Sequence, residues 1–404
     1  MKAIIEELGQ NELRIFRAVY EKGPISRVRL ARGLHLTRAA VTILIKRLTQ
    51  LGLIVEVGKG NSGDRRGRRE VLLTVNPEAG VILAVHISLT HINYGLVTLN
   101  GRILIHNRQH FPENYEPSEV LSAVTDELKR MLDEHCKDSG RLFGVSVAIP
   151  GIIDYKTGTV REQTRVGWQG FNLKNFFEKQ LDLNVFVEND VKALTLGEFY
   201  FGMGRHSNDM VCLWSKDGIG AGIIHDGRLI RGYSSSAGEI GFNQFILELP
   251  INRSILVNGK PRCWGDILSF TNLRASIDRG VDEGWKTSLK KGASIDDFIN
   301  AYEDNDPLAI FIISTLASVL GMVSCNLIYS YNPQVLVLAG PLFEKIPNLT
   351  LEVKKHLDKG LLKTPLTTAD LKASVLGEDS ILIGCAALHL EYIFKASEQV
   401  TIRD

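Results

Sequence analysis

The sequence predicts an α/β chain in two parts: a small basic head of helices with a β-hairpin, and a larger body in which strands followed by helices occur twice. Three observations predict it. Charge is divided: residues 1–75 hold 15 Lys+Arg against 7 Asp+Glu, leaving 32 against 39 for the rest of a chain whose total is +1. Residues 11–52 carry three short amphipathic runs, each closed by glycine or lysine-glycine. Beyond residue 80 the pattern changes to β-branched runs alternating with helical ones.

In the head, Leu13, Ile15, Phe16, Val19 and Tyr20 give Asn11–Lys22 a helical apolar pattern that Gly23-Pro24 stops. Ser26 is placed to cap a second helix with Val28, Leu30 and Ala31 inward, ended by Gly33. Thr37 caps a third, whose Val41, Leu44, Ile45 and Leu48 recur at i, i+3, i+4 and i+7 until Gly52. Helix, tight turn, capped helix is the helix-turn-helix layout. Strands Leu53–Val57 and Val71–Val75 then flank a loop holding Lys59, Arg65, Arg66, Arg68 and Arg69 among four glycines, which makes a winged helix-turn-helix. An α-helix fits the DNA major groove and a cationic wing suits backbone or minor groove. The expected DNA contacts are therefore Arg27, Thr37, Arg38, Thr42 and Lys46, with Arg65, Arg66, Arg68 and Arg69 from the wing. A basic module favours a polyanion, and the acidic body does not.

In the body, Val81–Val85 and Gly95–Leu99 read as a hairpin, Ile103–His106 extends it, and Pro117–Cys136 is an amphipathic helix. Leu142–Ile149 is a buried strand before Pro150-Gly151, and Val185–Val187 another before Glu188-Asn189-Asp190. Val211–Trp214 opens a second meander through Gly218-Ile219-Gly220-Ala221-Gly222. This repetition predicts a duplicated α/β body of two lobes. The uncharged stretch Pro307–Phe343 is interrupted by Ser314, Thr315, Ser318, Ser324 and Asn326, and reads as a helix buried between protein layers rather than a membrane span. With 44% apolar and 23% charged residues the chain is an ordinary globular one, neither collagen, rod, disordered tail nor disulfide miniprotein. Cys136, Cys212, Cys263, Cys325 and Cys385 are scattered with no CxxC, as in a reducing cytoplasm, and the early Glu6-Glu7 does not fit a signal peptide.

At this point the chain resembles the ROK family of repressors, open reading frames and sugar kinases. The resemblance rests on Pro150-Gly151-Ile-Ile-Asp154 with Gly158, Gly167-Trp168, Glu188-Asn189-Asp190 with Gly197-Glu198, Gly218 to Gly222, Ala237-Gly238-Glu239-Ile240-Gly241, and Asn332-Pro333-Gln-Val-Leu-Val. It implies a two-lobed actin-like (ribonuclease H-like) ATPase or sugar-kinase body. The head places the chain in the branch similar to the N-acetylglucosamine and xylose repressors. The expected domains are 1–76, the winged head; 77–190, a first lobe to which a helix near 380–396 returns; and 191–379, a second lobe that dimerises.

The family's kinases carry Asp-x-Gly-Gly-Thr after their first strand, where this chain has His86-Ile87-Ser88-Leu89-Thr90. Lys216-Asp217 stands for a Gly-Thr, and Ala339-Gly340-Pro341 for a glycine-rich turn. Close backbone approach to phosphate depends on glycine, and phosphoryl transfer on positioning, so no kinase activity and no cofactor are expected. The resemblance assigns effector contact to Asn189, Asp190, Glu239, Gly151 and Gly220. Asp190 matches the family's general base, and without a phosphoryl donor it still holds a hydroxyl. Residues 189–190 as a simple helix cap are the plainer alternative. Trp168 reads as packing. Phe242 replaces a sugar-binding, zinc-ligating His, and Cys263 alone stands near the family's cysteine run, so no structural zinc is expected. The expected partners are an operator duplex, a sugar or cyclic polyol such as inositol, and a second copy of the chain, as homodimer or tetramer. A sugar kinase with an added head, and a regulator governed by a protein, are the competing readings.

Overall fold

A computed structural model describes residues 8–59, 70–111, 116–135, 142–162, 168–244, 263–346, 348–360 and 369–396. It divides into two compact units, Met1–Asn189 with Leu382–Asp404, and Asp190–Ile381.

The first unit begins with α1 (Gln10–Lys22), β1 (Ile25–Ser26), α2 (Arg27–Gly33), α3 (Arg38–Gln50), β2 (Ile54–Lys59) and β3 (Val71–Val75). The strands form a sheet in the order β1-β3-β2. Ile15, Phe16, Val19, Leu30, Val41, Ile45, Leu48 and Leu53 fill the three-helix core. Leu44, expected among them, is only half-buried. Glu12 is buried in α1, where its carboxylate accepts from the Gly9 amide at 2.7 Å and pairs with Arg47 of α3 at 3.2 Å. A buried carboxylate needs such partners, and these tie α1 to α3.

Next come β4 (Val81–Ile87), β5 (His91–Thr98), β6 (Ile103–His110), α4 (Pro117–His135), β7 (Leu142–Ile149), the hairpin β8 (Ile152–Asp154) and β9 (Thr159–Glu162), α5 (Leu173–Leu181) and β10 (Val185–Asn189). Their sheet runs β10-β7-β4-β5-β6, antiparallel through β4-β5-β6 and parallel through β4-β7-β10. Leu83, Val85, Ile87, Tyr94 and Leu96 face α4 in one core, and Trp168 lies wholly inside it.

The second unit holds α6 (Asp190–Tyr200), β11 (Met210–Ser215), β12 (Ile219–His225), β13 (Arg228–Leu229), α7 (Phe270–Asp282), α8 (Ile295–Glu303), α9 (Pro307–Tyr331), β14 (Val335–Ala339), α10 (Pro341–Lys345), α11 (Leu349–Gly360) and β15 (Asp370–Ala373). Its sheet, β13-β12-β11-β14-β15, repeats the first: three antiparallel strands, then two parallel additions beside the first strand of the meander. The duplication read from the sequence is thus present in topology. Helix α9 has the length and apolarity to cross a membrane, and most of it is packed inside this unit, against α7, α8 and α11. Asp306 caps it, accepting from Leu308 and Ala309 amides, with Pro307 in its first turn.

The last helix, α12 (Ser380–Ala396), belongs from Leu382 onward to the first unit. Gly144 lets it approach β7, since a Cβ there would fall 2.5 Å from the His389 ring. His389 is buried, its Nδ1 is 3.5 Å from Ser146 Oγ, and burial pushes its pKa down to about 4. Phe186 of β10 stacks on Tyr392 with centroids 4.0 Å apart. The head meets the same helix: Phe16 and Tyr20 pack on Phe394, Arg17 lies 5.9 Å over that ring, and Tyr20 Oη donates to the Leu99 carbonyl at 3.0 Å.

Candidate nucleic-acid interface and effector site

Helix α3 begins where Thr37 Oγ1 accepts from the Ala40 amide at 3.2 Å, as its sequence predicts. Val41, Ile45 and Leu48 turn inward, so Thr37, Arg38, Thr42 and Lys46 are exposed on the opposite side. No acidic residue lies in its first turn, and the amide-rich end of a helix attracts anions. Thr42 Oγ1 donates to the Arg38 carbonyl at 2.8 Å. Ile43, which the sequence reading passed over, stands 69% exposed on the same side. An exposed apolar residue between polar ones is the signal that could have found it, because thymine methyls take apolar contacts.

Arg27 has a partner that the sequence reading did not include. Its guanidinium pairs with Glu56 of β2 at 2.8 Å, which links α2 to the wing strand, and both side chains remain partly exposed. Arg65, Arg66, Arg68 and Arg69 lie outside the described residues. β2 and β3, paired antiparallel, flank the segment that carries them in the sequence.

In the second unit Asp190 opens α6, with Oδ1 accepting from the Val191 amide at 2.8 Å. Burial pushes its pKa up to about 6, against the pull of that amide and of Lys192 and Lys216. One turn-mate was not anticipated: Lys192 is 1% exposed, donates to the Ser235 carbonyl at 2.9 Å and lies 3.8 Å from Glu239 Oε1. A buried ammonium is costly unless paired, and here it joins Asp190 and Glu239 into one charged cluster. Ser235 takes a left-handed φ of +65° to present its carbonyl. Gly238, at φ +88°, is held so close to β12 that a Cβ would lie 1.8 Å from the Ala221 carbonyl oxygen. Glu239 therefore sits on a loop fixed from two sides.

Gly220 has a packing reason the expectation did not include. A Cβ there would meet Val191 at 3.2 Å, and one on Gly222 would meet Thr195 Oγ1 at 1.9 Å, so these glycines bring β12 against α6. Glu198 of the same helix is buried, accepting from the Met203 amide and the Ser374 hydroxyl, and burial raises its pKa.

In the first unit Asn189 is buried at the end of β10. Its amide nitrogen donates to Glu188 Oε1 at 2.9 Å and its Nδ2 to the Gly151 carbonyl at 3.0 Å. The Asn189 side chain thus holds the Gly151 turn, where φ is +110°. The turn after β4 is closed on itself. Ser88 Oγ accepts from the His91 and Thr90 amides and donates to the His91 carbonyl, and the Ser88 amide donates there too. Phe242 is exposed, and among the described residues no group of three His, Cys, Asp or Glu could hold a metal ion. Trp168 packs, as expected.

The fold and these residues define a winged helix-turn-helix joined to a duplicated kinase-like body, and the chain belongs to the ROK family, whose profile matches residues 82–392. A winged helix-turn-helix DNA-binding profile matches residues 8–55. Over 382 residues the chain is 25% identical to the xylose repressor of Bacillus spizizenii, covering 95% of both. It is 26% identical over 381 residues to the DNA-binding transcriptional dual regulator NagC of Escherichia coli, covering 94% of this chain and 91% of that one. A solved ROK family transcriptional regulator, a homolog of E. coli Mlc protein, superposes with a TM-score of 0.80 at 24% identity, over 96% and 97% of the two chains.

Proposed function

We propose that the chain is a homodimeric, cytoplasmic transcriptional repressor of carbohydrate or polyol metabolism, released or engaged by a sugar-like effector and without kinase activity. One observation carries the reading. A capped helix with Thr37, Arg38, Thr42 and Lys46 outward shares its chain with a body whose first phosphate turn is filled by Ser88 and its own hydrogen bonds. The full-length similarity to sugar-named repressors supports it.

On this reading α3 enters the major groove and the wing arginines lie on the backbone. Asp190 and Glu239 accept effector hydroxyls, while Lys192 fixes the Glu239 loop. Asn189 and Gly151 form the corresponding polar pair of the first unit, and Gly220 acts through the position of α6. Occupancy then changes operator affinity about 5–150-fold, a coupling of about 1–3 kcal/mol.

The test selects bound duplexes from the organism's genomic DNA, then titrates the selected duplex with a panel of sugars and polyols. Palindromic sites, and a compound that changes affinity in the wild type but not in Asp190→Ala, are expected. ADP formation from ATP with any member of the panel, abolished by Asp190→Ala, would overturn the absence of kinase activity. No preference for any duplex would overturn the repressor.

A further inference from the structure

We infer that the outward face of α3 reads thymine through its 5-methyl group, with Ile43 as the residue that sets this preference and Ala39 and Thr42 beside it. The inference rests on the proposed DNA binding and deepens it, by naming the feature of the base that is read.

The face follows from the helical period. Val41, Ile45 and Leu48 are wholly buried in the three-helix core, and successive residues turn by about 100°. Ala39, Ile43 and Lys46 therefore lie opposite them, with Thr42 alongside and Arg38 in the first turn. All five are exposed, Ile43 to 69%. Ala39, Thr42 and Ile43 stand at i, i+3 and i+4, so they are neighbours on one surface.

The hydroxyls of this helix start are already engaged. Thr37 Oγ1 accepts from the Ala40 amide at 3.2 Å, and Thr42 Oγ1 gives its one proton to the Arg38 carbonyl at 2.8 Å. Thr42 has no donor left for a base edge. From Thr37 to Thr49 there is also no Asn, Gln, Asp or Glu. Adenine is read by a side-chain amide and the cytosine amino group by a carboxylate, and these turns supply neither. Two chemistries remain. Arg38 and Lys46 offer cationic donors, which suit guanine or phosphate, and the three neighbours offer methyl groups, which suit the 5-methyl of thymine.

Single apolar side chains are ordinary on protein surfaces, and Ile43 differs in its setting. A β-branched residue gains nothing as a helix former at an exposed position. This one adjoins two further methyl-bearing side chains. It also stands on the second helix of a helix-turn-helix, the one that lies in the major groove.

The test is fluorescence anisotropy of the full chain with a duplex selected from genomic DNA, and with the same duplex carrying deoxyuridine for every thymidine. The exchange removes the methyl groups and keeps the base pairing. Burial of a methyl predicts about a fourfold gain in affinity for each one contacted, so wild type should bind the uracil duplex at least about fourfold more weakly. Ile43→Ala should melt near wild type, weaken the thymine duplex about fourfold and leave the uracil duplex nearly unchanged. The four affinities form a cycle that separates a methyl contact from a change in duplex shape, which both proteins would feel alike. Equal affinity of wild type for the two duplexes, or an unchanged ratio in Ile43→Ala, would overturn the inference and leave DNA binding standing. Absence of binding to any duplex would overturn the DNA reading, and this inference with it.

Discussion

Removing the Phe394 ring should loosen the head from the lobe that carries it. Phe394 is 2% exposed, and its ring is contacted from α1 by Phe16 at 6.1 Å and Tyr20 at 5.4 Å between centroids. Each aromatic pair contributes about 0.5–1.5 kcal/mol beyond area burial, so the two put about 1–3 kcal/mol into docking α1. The opening equilibrium of α1 in Phe394→Ala should then rise about 5- to 150-fold. The whole unit should lose more, toward the about 3–5 kcal/mol usual for a buried phenylalanine, because the ring also packs within its own lobe. Tyr20→Phe keeps both rings and removes only the hydrogen bond to Leu99, at a cost of about 0.5–1.5 kcal/mol.

Amide hydrogen exchange read peptide by peptide separates these effects. Faster exchange is expected across both α1 and α12 in Phe394→Ala, and a smaller rise across α1 in Tyr20→Phe. Exchange that rises in α12 alone would refute the reasoning, since the ring would then serve only its own lobe. The consequence for a repressor is direct: whatever displaces α12 also displaces the helix against which α3 is packed.

Other consequences are more local. Arg38→Ala and Lys46→Ala should each reduce the slope of log affinity against log salt by about 1 in duplex binding, because both side chains stand exposed on the α3 face. Asp190→Asn should raise stability at pH 7.5 relative to wild type and lose most of that advantage by pH 4. The carboxyl is raised to about 6 when folded, so wild-type stability falls as pH climbs from the unfolded value near 3.8 through 6 and the site takes on charge. Urea unfolding at both pH values reads the difference. Gly238→Ala should cost the second unit several kcal/mol in urea unfolding, about 1–3 of them from the left-handed backbone alone, because the new Cβ meets a carbonyl at 1.8 Å. Gly218→Ala, with nothing within 4 Å, should be near neutral.

Local signals made the head and the duplicated sheets legible. Thr37 before a run of period 3.6 dictates the start of α3, and the paired β-branched runs dictate the meanders. What was missed required distant partners. Arg27 has the charge and place of a DNA contact, and only the return of β2 brings Glu56 to it. Lys192, following Asn-Asp, reads as a solvated residue in a first turn; it is buried because the 231–241 loop closes over α6. Gly220 looked like a ligand-facing glycine, and only the α6–β12 approach reveals its packing role. The two-residue β1 is too short to leave a pattern, and the Phe394 dock joins residues near opposite ends of the chain.

Loss of catalysis with recognition kept, as proposed above, places unequal demands on such a body. Transfer of a phosphoryl group needs interactions that strengthen only in the transition state, held in position together. A sensor needs ground-state contacts alone. His86 in place of a carboxylate, Ser88 and Leu89 in place of two glycines, and Asp217 beside the second turn each remove part of the first requirement. On the proposed reading, Asp190, Lys192 and Glu239 serve the second. Because Ser88 closes its turn with hydrogen bonds of its own, the substituted turn is also a stable one: the His91 and Thr90 amides that might have faced a phosphate have partners already. Restoring His86→Asp alone would therefore add a carboxylate next to a closed turn, and nucleotide binding should not return until Ser88 and Leu89 are replaced by glycine as well.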